Sequence, residues 1–128
     1  MKILLDTCAL IALSDGALPA TAAEALVSAA RASISPVVAW ELGIKVKTGK
    51  LALADPPLEW VLNLASRHQL DPPDEGLDAA LLCSAANLPL IHRDPFDRVL
   101  IATALRDGLT ILTSDRNIPK YPGISTLW

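Results

Sequence analysis

Cysteine is nearly missing from the 128 residues. Cys8 and Cys83 stand alone, match no zinc or redox spacing, and are too few for a disulfide framework. Aromatic residues make up only 4% (Trp40, Trp60, Phe96, Tyr121 and Trp128), which leaves little from which to build a base-stacking platform for single strands. No apolar run approaches the roughly 20 residues needed to cross a bilayer. Only Ile3-Leu4-Leu5 separates Lys2 from Asp6, too little for the apolar region of a signal peptide. Together these absences predict a protein of the reducing cytoplasm with no membrane partner. Basic residues are in deficit too, with eleven Lys and Arg against fourteen Asp and Glu, a formal charge of −3. That total argues against a generally basic nucleic-acid binder, although a total does not say where the charges sit.

What is present is an aliphatic, alanine-rich interior. A hydrophobic fraction of 52% with 20% charged residues supports a true core and argues against disorder. The length predicts a single domain over residues 1–128. Ile3-Leu4-Leu5 reads as a buried strand, followed by a helix from Thr7 to Leu13. Pro19 opens a helix expected to reach about Ala32, with a second strand at Ser33–Ser35. Ser35-Pro36 is a serine N-cap with proline at the first helical position, starting a helix to about Lys47. Further helices are expected at about Leu58–Arg67, Leu77–Ala86 and Pro95–Asp107, the last closed by Gly108. Leu109–Thr113 is the clearest strand, and Ile124–Leu127 is the last. Strands alternating with helices predict an α/β fold with a parallel sheet, whose ligands bind beyond the carboxyl ends of the strands.

That rule directs attention to acids. Asp6 directly follows the first strand, and Asp115 follows the Leu109–Thr113 strand after one residue. Each also has a purely structural reading, Asp6 as a helix N-cap and Asp115 as a turn residue. Glu41 has Val37, Val38, Ile44 and Lys45 three and four positions away, so it lies on or beside a buried face. A carboxylate there needs a partner, either Lys45 in an i,i+4 pair or a metal ion. In Asp94-Pro95-Phe96-Asp97, capping alone accounts for Asp94, whereas Asp97 can face the sheet edge. If Asp6, Glu41, Asp97 and Asp115 converge, the set is all oxygen and suits a hard ion, Mg²⁺ or Mn²⁺. Such an ion can activate water and steady a phosphate.

These stretches resemble the PIN-domain ribonucleases, specifically the VapC-type toxins of toxin–antitoxin pairs. The matching segments are Leu4-Leu5-Asp6-Thr7, Ser35-Pro36-Val37-Val38-Ala39-Trp40-Glu41-Leu42 with Lys45, His92 through Ala102, and Leu112-Thr113-Ser114-Asp115. They follow the expected order over nearly the whole chain. The resemblance implies a PIN-like three-layer α/β fold, a central mainly parallel sheet flanked by helices. It implies a metal-dependent endoribonuclease in which Asp6, Glu41, Asp97 and Asp115 hold Mg²⁺, with Mn²⁺ as the substitute. Thr7 and Thr113 fall where the family places supporting hydroxyls, and Asp94 ranks below Asp97. A homodimer and a cognate antitoxin that silences the site are implied as partners, with RNA as the substrate. Cys8 departs from the family's usual residue without replacing an acid.

Lys45, Lys47, Lys50, Arg93, Arg98 and Arg116 lie near the acids in sequence and are the candidate phosphate contacts. His92 is expected to be a surface loop residue. Readings outside this one stay open in part. A PIN-like processing nuclease without an antitoxin and a non-catalytic binding domain both keep the same acids. A receiver domain lacks its early acidic pair here, and a haloacid-dehalogenase phosphatase lacks its second aspartate, since Cys8 occupies that position. Setting the four proposed ligands aside leaves ten acids against eleven bases, so the acidic total reflects the candidate site and any RNA contact is local.

Overall fold

A computed structural model describes residues 1–128. Its centre is β1 (Lys2–Leu5), whose Ile3, Leu4 and Leu5 are all fully buried. Successive strand residues point to opposite faces, so burial of all three means that both faces of the sheet are covered. β1 pairs in parallel with β2 (Arg31–Ser33) on one side and with β3 (Thr110–Leu112) on the other. β4 (Ser125–Leu127) adds to β3, giving the order β2-β1-β3-β4, parallel throughout. Beyond β2, the backbone of Asp71 donates to Ala32 and accepts from Ile34, which covers that edge.

Six helices fill the connections: α1 (Thr7–Ser14), α2 (Ala20–Ser28), α3 (Pro36–Lys47), α4 (Pro57–His68), α5 (Ala79–Asn87) and α6 (Pro95–Asp107). A single 3₁₀ turn spans Ile118–Lys120. α6 runs through the core with Leu100 and Ile101 fully buried and packs against β3 and α3, whose Ile111, Leu112, Val38 and Leu42 belong to the same buried cluster. Trp40 of α3 meets Phe96 of α6 edge to face, with ring centres 5.1 Å apart. The capping signals operate as read. The Ser35 hydroxyl accepts from Val37 N–H at 3.2 Å, and Gly108 closes α6 at φ 67°, a conformation that costs glycine little.

Two expectations need correction. The second helix ends at Ser28 and the second strand lies at Arg31–Ser33, not at Ser33–Ser35. Alanine favours helix there, but pairing of Arg31–Ser33 with Lys2–Leu4 and the Ala30 N–H to Met1 carbonyl bond override it. The second correction is Arg98, which is 8% exposed and therefore not placed to bind RNA. Its guanidinium donates to the carbonyls of Ala85, Ala86 and Leu88 at 2.9–3.1 Å and to those of Pro89 at 2.9 Å and His92 at 3.3 Å. It also reaches the Tyr121 hydroxyl at 3.2 Å. A cation is thereby held at the carboxyl end of α5, where unpaired carbonyls collect.

Replacement of Arg98 takes the guanidinium donor from the Ala86, Leu88 and His92 carbonyls and one of the donors from those of Ala85 and Pro89. Arg98→Met is expected to cost at least about 2 kcal/mol of stability, and Arg98→Lys, lacking the fork, is expected not to restore it. Urea unfolding reads both, with a midpoint unchanged by either substitution contradicting the role.

Candidate active site

The carboxyl edge of the sheet gathers the acids because the strands end there and the following helices begin there. Asp6 leaves β1 as the N-cap of α1, its Oδ1 accepting from Ala9 N–H at 2.8 Å. Its Oδ2 accepts a short hydrogen bond from the Thr113 hydroxyl just past β3. The backbone N–H of Asp115 in turn donates to that hydroxyl oxygen at 2.9 Å, so Asp6, Thr113 and Asp115 form one chain of contacts. Asp115 Oδ1 accepts from Asn117 N–H at 2.7 Å and Ile118 N–H at 3.0 Å, the turn role expected of it. Its Oδ2 faces the site.

Glu41 is buried on α3 and both of its oxygens are engaged. Oε1 accepts from the Thr7 hydroxyl at 2.6 Å, and Oε2 accepts from Lys45 Nζ at 2.6 Å. The i,i+4 pair is therefore real, and Thr7 adds a second support from α1. The hydrogen bond to Glu41 holds the half-exposed Lys45 ammonium above its ordinary value. Asp94 is a helix cap, with Oδ1 accepting from Phe96 N–H at 2.9 Å. Asp97, in the first turn of α6, instead turns toward the edge.

His92 corrects the expectation of a surface loop residue. Its Nε2 lies 3.1 Å from Asp97 Oδ2 and 3.1 Å from Asp115 Oδ2. One ligand atom from each of His92, Asp97 and Asp115 falls within 4.8 Å of the others, a group that could hold a metal ion. Lys47, Lys50, Arg93 and Arg116 are exposed around these elements, unlike the buried Arg98. Sequence reasoning undervalued His92 because its approach depends on the loop after α5, and nothing local to Tyr121 signals its contact with that loop. The one local signal was the position of His92 two residues ahead of the Asp94-Pro95 cap.

The electrostatics register the crowding. Burial pushes Asp6 up to about 6, and the charges of Asp115 and Glu41 add to this against the opposing bonds from Thr113 and Ala9. Burial, then the charge of Asp94, pushes Asp97 up to about 7, with His92 opposing and Asp6 and Glu41 contributing. Burial also raises Asp115, but the N–H groups of Asn117 and Ile118 together with His92 outweigh it and leave the carboxyl below its usual value. The Cys8 thiol is pushed up to about 11 by burial and by the Asp6 and Asp97 charges, so it stays protonated at neutral pH. A divalent cation fits such a set of oxygens. Asp97 and Asp115, with His92, form the group whose ligand atoms are close enough to hold it, and Asp6 and Glu41 lie near enough for their charges to raise Asp97.

Because Asp6 and Asp97 titrate higher folded than unfolded, the folded state carries more protons between the ordinary 3.8 and about 7. Stability therefore falls as pH rises through that window. Protein kept free of divalent cations by a chelator is expected to show a falling urea midpoint from about pH 4 to about pH 7. Asp97→Asn is expected to flatten the fall, and a midpoint that rises with pH would contradict the account.

Residues 3–124 match the family model described as PIN domain. The chain is 27% identical over 110 residues to Ribonuclease VapC22 of Mycobacterium tuberculosis, covering 84% of this chain and 82% of that protein. Among solved structures, it shares its fold with VapBC2 from Rickettsia felis bound to a promoter DNA fragment. There the TM-score is 0.67 at 16% identity, over 99% of this chain and 98% of that one. It also shares its fold with VapBC-5 from Mycobacterium tuberculosis, a member of the VapBC family of toxin-antitoxin systems. That match has a TM-score of 0.60 at 20% identity, over 98% and 95% of the two chains. With the parallel sheet and the acids at its carboxyl edge, the match across nearly the whole chain shows that this protein belongs to the PIN-domain family.

Proposed function

We propose that this protein is a Mg²⁺-dependent endoribonuclease of the VapC toxin type, with Mn²⁺ able to replace Mg²⁺, and that a cognate antitoxin neutralises it. The observation that carries the reading is the convergence of Asp6, Glu41, Asp97 and Asp115, drawn from four separate parts of the chain, on one edge of a PIN fold. The relative named as a ribonuclease and the fold neighbours named as VapBC support the enzyme and the antitoxin respectively.

A hard cation held by Asp6, Asp97 and Asp115 would supply activated water and charge stabilisation at a phosphodiester. The protein's own contribution is preorganisation. Thr113 fixes one oxygen of Asp6, Thr7 fixes one oxygen of Glu41, and a cation held by Asp6 and Asp97 would compete with the protons that their raised carboxyls bind. Lys45, anchored to Glu41, sets an ammonium at the rim for an RNA phosphate. Exposed Lys47, Arg93 and Arg116 extend that contact along the backbone without reading sequence.

Purified protein incubated with structured RNA is expected to cleave it with Mg²⁺ and not with EDTA. Asp6→Asn and Asp97→Asn are each expected to lower the rate about 100-fold or more. Lys45→Ala is expected to weaken RNA binding and reduce its salt dependence. Cleavage that survives both aspartate substitutions would reject the site, and cleavage of no RNA tested would favour a binding domain.

A further inference from the structure

His92 stands inside the candidate site on a nitrogen whose protonation the backbone dictates. Its Nδ1 accepts the N–H of Asp94 at 3.1 Å. An amide N–H can only donate, so Nδ1 keeps its lone pair and the ring proton resides on Nε2. That proton is hydrogen-bonded to Asp115 Oδ2 at 3.1 Å, and Asp97 Oδ2 lies equally near, 3.1 Å from the same nitrogen. For Nε2 to ligate a metal, the proton would have to move to Nδ1, where it would oppose the Asp94 N–H donor to donor.

The ring is also poorly free to turn away. The His92 backbone N–H donates to the Tyr121 hydroxyl at 2.8 Å, and its carbonyl accepts from Arg98 at 3.3 Å. Tyr121 itself donates to the Pro89 carbonyl at 2.9 Å. The loop between α5 and α6 is thus gripped on both sides of His92 by Arg98 and Tyr121. Asp97 on α6 and Asp115 beyond β3 belong to separate elements, and the imidazole Nε2 stands between the two carboxylates, 3.1 Å from each.

Resting on the cation-dependent reading above, we propose that His92 is a positioning residue that holds Asp115 through its Nε2–H beside Asp97, sets the spacing of the two carboxylates for a hard divalent ion, and does not itself ligate that ion. The donor set is then all oxygen, which favours Mg²⁺ and Mn²⁺ over softer ions that prefer imidazole. Hydrogen-bonding partners behind metal ligands commonly change metal affinity by about 10- to 100-fold.

Mn²⁺ is the probe, added to the metal-stripped full chain and followed by electron paramagnetic resonance. His92→Ala is expected to weaken Mn²⁺ binding about tenfold, and His92→Gln, whose amide N–H can reach the place of Nε2–H, is expected to recover most of it. Pulsed resonance on the unaltered protein is expected to show no directly bound ¹⁴N. A directly bound ¹⁴N signal would overturn the proposal by making His92 a ligand, and needs no variant to fold. Unchanged affinity in His92→Ala would overturn it by making His92 a bystander. Failure of the unaltered protein to bind Mn²⁺ would instead reject the cation site, and this inference with it.

Discussion

Several carboxylates share the end of one buried parallel sheet, and much of the local structure exists to make that tolerable. A carboxylate taken out of water costs several kcal/mol unless it is paired or hydrogen-bonded. Here the partners come from different elements: Thr113 beyond β3 for Asp6, Thr7 of α1 for Glu41, and the loop ahead of α6 for Asp97 and Asp115. Each pairing that relieves an acid also fastens one element to another. Two arginines are placed elsewhere. Arg98 serves the end of α5, and Arg106 lies against Asp107 and Glu75. With hydroxyls and an imidazole as their main partners, Asp6 and Asp97 are left with raised proton affinity and room for a stronger cation.

The structural and functional readings of these acids turn out to coexist because a carboxylate has two oxygens. Asp6 caps α1 with one and meets Thr113 with the other. Asp115 organises its turn with Oδ1 and presents Oδ2 to His92. Glu41 divides itself between Thr7 and Lys45. A residue that holds a helix end or a turn is held in return, and its second oxygen is aimed with little rotational freedom to lose.

Local signals were legible wherever backbone chemistry is decided by immediate neighbours. Ser35-Pro36 and Asp94-Pro95 mark their helix starts correctly, and Gly108 marks the end of α6. The stretch 29–35 was misread because its alanine propensity is local, while the pairing that overrides it involves residues near position 2. Arg98 and His92 were misjudged for the same reason. Whether an arginine faces solvent or the end of another helix, and whether a loop histidine turns inward, depends on how α5, α6 and Tyr121 pack. That four scattered acids meet at one edge was beyond spacing alone. The parallel-sheet rule gave the edge, strand ends and helix faces picked out the four acids, and the family resemblance gave their joint role.

The bond between Thr113 and Asp6 joins residues 107 positions apart, and β1 lies between strands that come from opposite ends of the chain. During synthesis, therefore, Asp6 emerges long before either Thr113 or Asp115 exists to complete its surroundings. No shorter nascent chain can assemble the acidic cluster, and β1 lacks its β3 partner until that same segment arrives. The chemistry of the site is consequently withheld until translation has passed residue 115, a delay written into the strand order itself.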